Sequence, residues 1–276
     1  MTIESMNKVT EFKCLTPGIL YKYTPFRESF FDAPILRFSP LNELNDPFEL
    51  SLACIDFPDS IRQKVRESYS EPLGPNAERI ILAKRFDDHV SNKNAEKNQA
   101  ILSLTEDPEH ILMWSHYADQ HKGMVIGLDF SHDFFKQMFI NGDEFLLPVK
   151  YCNQRPLYSY AEGRFLVEVK ESLGTKGLQW GYEREWRAVT KAFCSKKKIK
   201  KQDGTEQGGF IDIPEECIKE IYLGTRRDEN MVNVAQRFIK KNPHIKLYLG
   251  YKSVGVYELD FLDIDLALKI FPSSLL

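Results

Sequence analysis

Trp180-Gly181-Tyr182-Glu183-Arg184-Glu185-Trp186-Arg187-Ala188-Val189-Thr190 is the stretch whose reading decides the fold. Rich in aromatics and closing on Ala188-Val189-Thr190, it predicts a β-strand. Strand alternation then sets Glu183, Glu185 and Arg187 on one face and Tyr182, Arg184 and Trp186 on the other. Two carboxylates on one face repel, which raises at least one pKa unless a cation intervenes, and Arg187 is placed to be that cation. Such patterns are often solvated ion-pair ladders. Here two tryptophans and a tyrosine flank the carboxylates, so the surround is half-buried and the charges need partners or a function.

Working outward, residues 18–23 and 35–39 predict strands, with a helical turn between Pro25 and Pro34. Residues 42–47 read as a turn, and 59–70 and 76–91 as charged helices. A strand at 101–105 precedes a helix that begins near Pro108, with Asp107 as its cap, and ends by Gln120. Strands follow at 124–129 and 145–151, then a helix over 159–172. Beyond the Glu-x-Glu strand, the lysine run 196–201 reads as a solvated hairpin tip. Strands at 210–213, 218–223, 244–249 and 256–259 and a helix at 228–241 complete the chain. Helices gather in two blocks rather than alternating with strands. This predicts an α+β fold with a mixed or antiparallel split sheet of short strands. The expected organisation is an extension over 1–17, one domain over 18–260 and a tail over 261–276.

Hydrophobic content of 42% and aromatic content of 12% suffice for a substantial core. A net charge of −3 does not favour nucleic acid or an anionic membrane as partner. No stretch approaches the ~18 apolar residues of a membrane span, and the first residues lack a signal-peptide layout. The five cysteines, Cys14, Cys54, Cys152, Cys194 and Cys217, form no Cys-x-x-Cys pair. That fits reduced thiols and a cytoplasmic location.

Several constellations could carry chemistry. The predicted helix places Trp114, Tyr117, Ala118 and His121 on one stripe, with His116 away from it. The spacing of His116 and His121 does not match a two-histidine helical metal site. Asn45 and Asp46 either close a turn or line a pocket beside the strand ends. Tyr21 and Tyr23 share a strand face, as core-rim packing or as a stacking platform. Gly224-Thr225-Arg226 looks like a helix start that attracts anions.

Read together, Leu20 to Tyr23, Arg37 to Glu49, Trp114 to Gly123, Lys176 to Arg187 and Ile221 to Gly224 resemble the signature of a bacterial family. That family is catalogued as domain of unknown function 2971, and the likeness runs over roughly residues 18–250. The chain also resembles ADP-ribosyltransferases. In those enzymes an early strand offers a His or Arg, a second strand a Ser or Tyr, and a late strand the catalytic Glu. Tyr21 or Tyr23, Ser39 and Glu183-x-Glu185 follow that order here.

The second resemblance implies NAD as substrate, with the nicotinamide glycosidic bond cleaved and ADP-ribose passed to an unknown acceptor or to water. Cleavage develops oxocarbenium character, which a carboxylate beside the sugar stabilises. Glu185 would bind the ribose, Glu183 would orient the acceptor and Tyr23 would stack on nicotinamide. Arg37 or Arg187 would meet the pyrophosphate. Tyr21, Ser39, Asn45, Asp46, Trp114, His116 and Tyr117 would complete the dinucleotide site, with no metal. Two alternatives stand beside this reading. One is a non-catalytic nucleotide-sensing or protein-interaction module. The other is a metal-dependent nuclease built on Glu183, Glu185 and Asp46.

Overall fold

The computed structural model describes residues 18–48, 57–92, 99–140, 144–156, 159–161, 164–166, 171, 173–191, 197–200 and 206–271. In chain order the strands are β1 (Ile19–Thr24), β2 (Ile35–Arg37), β3 (Ser39–Pro40), β4 (Gln99–Thr105), β5 (Met124–Asp129), β6 (Phe145–Pro148), β7 (Lys150–Cys152) and β8 (Ser159–Ala161). They continue with β9 (Arg164–Leu166), β10 (Thr175–Gly177), β11 (Glu185–Lys191), β12 (Lys197–Lys200), β13 (Glu206–Asp212), β14 (Ile218–Leu223), β15 (Lys246–Lys252) and β16 (Leu259–Asp263). The helices are α1 (Glu28–Asp32), α2 (Asp59–Glu67), α3 (Pro75–Asn92), α4 (Ile111–Tyr117), α5 (Asp133–Met138), α6 (Glu229–Lys241) and α7 (Ile264–Ile270).

The main sheet runs β16-β15-β14-β5-β1-β4-β11-β6, with β3 also on β4, and every pairing is antiparallel except β14 with β15. The fold is therefore α+β with a mixed, mostly antiparallel sheet. Its two faces follow the sequence alternation. Leu20, Leu102, Leu104, Ile126 and Ala188 enter the larger core. That face is covered by α6, whose buried Met231, Val234, Ala235 and Phe238 recur at helical spacing. Asp228 caps α6 by accepting from the Met231 N–H at 2.9 Å. On the opposite face Tyr23, Met113, Trp114, Val125 and Tyr222 form a smaller cluster. The functional residues gather on this second face.

One irregularity positions the site. β1 pairs with β5 along its full length, yet shares a single register pair with β4, Tyr21↔Thr105. Further along the same edge β4 pairs with β3, through Ser39↔Ile101 and Pro40↔Ala100. Between these two neighbours the backbone carbonyl of Ser103 accepts from Lys22 Nζ at 2.9 Å. The gap in the sheet is the floor of a cavity.

Three sequence expectations require correction. The helix expected over 159–172 gives way to a hairpin of β8 and β9 at 159–161 and 164–166, Tyr160 pairing with Phe165, while Glu171 is helical as expected. Alternating Tyr and Phe positions suit a strand as well as a helix, and length alone cannot separate them. The tail drawn from 261 cuts through β16, which pairs with β15, and α7 buries Ile264 and Ala267. The lysine run is not simply a hairpin tip: Lys197–Lys200 is a strand on β13, which in turn pairs with β2. Lys196 and Lys201, like Glu49, Cys14, Cys54 and Cys194, lie outside the described residues.

Candidate functional site

Glu183 and Glu185 do not share a strand. Residues Leu178–Glu183 form a 3-10 turn, Arg184 adopts the left-handed conformation at φ 43, and β11 starts at Glu185. The reversal at Arg184 returns Glu183 to the side Glu185 faces, so the two carboxylates meet through a turn rather than through alternation. Arg187, two residues on along β11, faces the same way as expected.

A small parallel sheet supplies what the carboxylates need. β7 and β10 pair through Tyr151↔Lys176, which delivers Lys176 between them. Lys176 Nζ donates to Glu183 Oε2 at 2.6 Å and to Glu185 Oε2 at 3.0 Å. Glu183 Oε1 accepts the Tyr117 hydroxyl at 2.6 Å, and Arg187 grips both oxygens of Glu185, each at 3.0 Å. All four charged side chains are at most 4% exposed. Burial pushes the Glu185 carboxyl up, but Arg187 and Lys176 together outweigh it and hold it down at about 2. Glu185 is an ionised carboxylate at any physiological pH.

These groups border a cavity of about 380 Å³ whose walls come from β1, β4, α4, the 39–45 segment and the 176–185 segment. Tyr21, Tyr23, Ser39, Asn45, His116, Tyr117, Glu183 and Glu185 all line it, so eight of the residues singled out from the sequence converge on one cleft. Asn45 Nδ2 donates to the Tyr117 hydroxyl at 3.1 Å, which joins the turn to the carboxylate network. Tyr21 also donates to Glu220 at 2.9 Å.

Four expected ligand contacts are placed elsewhere. Trp114 is fully buried, edge-on to Tyr23, with its indole N–H donating to the Pro108 carbonyl at 2.9 Å. It is core. Asp46 Oδ1 accepts from the Phe48 N–H at 2.9 Å, the turn-closing role that its residue type already allowed. Arg37 pairs with Glu43, and Arg187 lies beneath Glu185 at 1% exposure. Neither arginine lines the cavity.

Tyr23 does reach the cavity wall but offers no open face. It is 5% exposed, and its hydroxyl donates to the Asp107 carbonyl at 2.9 Å. The anion site expected at Gly224-Thr225-Arg226 is a structural junction. The Arg226 N–H donates to the His121 carbonyl and the Arg227 guanidinium to the carbonyls of Gly224 and Gly250.

Sequence reasoning missed Lys22, Ser103, Thr105 and, as a partner of both glutamates, Lys176. Lys22 and Lys176 carried no spacing signal. Ser103 and Thr105 share one face of a strand that was correctly expected, and polar residues alternating with Leu102 and Leu104 were the available clue. Among the described residues no group of three His, Cys, Asp or Glu side chains could hold a metal ion, so the nuclease reading lacks its ligand set there.

The fold and cleft thus define an α+β protein with a buried, charge-paired site. A family model described as "Protein of unknown function (DUF2971)" matches residues 113–188, the segment that contributes Met113, His116, Tyr117, Lys176, Glu183 and Glu185 to the cavity. No curated protein and no solved structure matches the chain.

Proposed function

We propose that the cleft binds NAD and cleaves its nicotinamide glycosidic bond, passing ADP-ribose to an acceptor or to water. The observation that carries this reading is one row of the sheet. Tyr21, Thr105 and Glu185 stand in register on β1, β4 and β11, three adjacent strands. The likeness to ADP-ribosyltransferases implies a His or Arg, then a Ser or Tyr, then a glutamate on successive strands of the chain, and Tyr21 stands here in the first place. Ser103 and Thr105 take the second-strand place first given to Ser39. In the reaction the C1′–N bond breaks, nicotinamide leaves with the electron pair, and positive charge develops on the ribose. The ionised Glu185 stabilises that charge.

Charge balance favours a second reading. Lys176 and Arg187 offset both glutamates, so the resting cleft offers no net negative field to a developing cation. A nucleotide-binding module without turnover would have the same cleft. Incubation with NAD and chromatography of free nicotinamide separates the two. Release by the wild type, cut about a hundredfold in Glu185→Asp, is the expected outcome, because the shorter side chain keeps the charge but withdraws it by about 1 Å. Binding of NAD without release would leave the module. Neither binding nor release would remove both.

A further inference from the structure

We infer that Lys22 is the anion-recognition residue of the cleft and receives the phosphate of a nucleoside monophosphate unit. This deepens the nucleotide reading and rests on it. Lys176 and Arg187 hold Glu183 and Glu185, and Arg37 holds Glu43. Lys22 lines the same cavity, and among the described residues no carboxylate makes an ion pair with it. One of its three N–H donors goes to the Ser103 carbonyl, which leaves two for a ligand in the cavity that Lys22 lines.

The strand geometry explains why a lysine stands there. Alternation sends position 22 away from Tyr21 and Tyr23, but the ladder to β4 ends at Tyr21↔Thr105, so the side chain can turn into the opening. The result is a half-buried ammonium without a counter-ion. Burial lowers its pKa to about 8, with Glu185 and Glu183 opposing the shift and Arg37 adding to it. An incoming anion would supply the missing partner, and Ser39 and Asn45 stand on the same wall with hydroxyl and amide groups. A cavity of about 380 Å³ is at the low end of the ~300–1,000 Å³ usual for ligand sites, which suits one nucleotide unit of NAD inside it with the other extending beyond.

The test compares nicotinamide mononucleotide, nicotinamide riboside and inorganic phosphate by titration calorimetry on the wild type, Lys22→Met and Lys22→Arg, with folding checked by thermal melting. The phosphorylated ligand should bind the wild type about ten- to a hundredfold more tightly than the riboside. Lys22→Met should bring that ratio near one, while Lys22→Arg keeps it. The inference is overturned by equal affinities in the wild type, by an unchanged ratio in Lys22→Met, or by no binding of any phosphate probe. Its fate separates from that of the proposed reaction. Phosphate-dependent binding without nicotinamide release keeps Lys22 and removes the cleavage. NAD cleavage with an unaltered KM in Lys22→Met does the reverse.

Discussion

Replacing Lys176 by Met removes a cation that touches both glutamates while keeping the length of the side chain. At an effective dielectric constant near 20, contacts at 2.6 and 3.0 Å are each worth about 6 kcal/mol of attraction. Desolvating the ammonium cancels much of this, and removing one partner of a buried pair typically costs about 3–5 kcal/mol net. The upper half of that range is expected here, because Glu183 would keep only the Tyr117 hydroxyl while Glu185 retains Arg187. Urea unfolding at pH 7 gives the loss, read from the midpoint at constant m. The double variant Lys176→Met, Glu183→Gln should recover at least half of it, since it removes the stranded charge as well. A loss below about 1 kcal/mol, the range of exposed pairs, would refute the account of Lys176 as a buried bridge. Strict additivity of the two substitutions would do so equally.

Further outcomes follow from neighbouring residues. Glu185→Gln removes the charge that both the Arg187 guanidinium and the Lys176 ammonium meet in a buried site, so stability should fall by about 3–5 kcal/mol, measurable by urea unfolding. The Glu185 carboxyl is depressed in the folded protein. Its stabilisation is therefore present above the unfolded value near 4.5 and lost as pH falls toward about 2. A urea midpoint followed from pH 5.5 to 2.5 should drop less steeply in Glu185→Gln than in the wild type. Gly224→Ala would put a Cβ 2.1 Å from the His121 carbonyl oxygen; the backbone must shift, at about 1–3 kcal/mol or more in thermal melting. Asp119, Gln120 and His121 form a left-handed run, with Gln120 exposed at φ 53, so Gln120→Gly should stabilise by about 0.5–1 kcal/mol.

How far the sequence was legible depended on whether local pattern or distant pairing decided the outcome. Met124–Asp129 and Ile218–Leu223 are continuous apolar runs that read as buried strands, and both are strands at the expected bounds. The α6 stripe was equally plain. By contrast, α4 ends at Tyr117 rather than Gln120, because the next residues enter the left-handed region and no glycine announces it. In the cleft, residue type and clustering pointed to Glu183, Glu185, Tyr117 and His116 without any knowledge of topology. Lys22 and Lys176 stayed hidden because their roles arise only when β1 parts from β4 and β7 pairs with β10. Arg37 and Arg187 were misplaced for the same reason. Guanidinium groups suit phosphate, but in the fold carboxylates already engage both of them.

The single register pair between β1 and β4 also sets the stiffness of the molecule. On one side β16, β15, β14, β5 and β1 are laced by backbone ladders, with one register shift between β14 and β5; on the other β3, β4, β11 and β6 are laced likewise. Between them the described backbone contributes one pair, and a flexible lysine side chain spans the remainder. Two rigid plates joined at a point are compliant about that point. They can rock apart while each ladder stays intact, cushioned from behind by Leu20, Leu102 and Leu104. Widening the cleft to admit a ligand therefore strains few backbone hydrogen bonds, and the contact between Lys22 and Ser103 is among the contacts it would load.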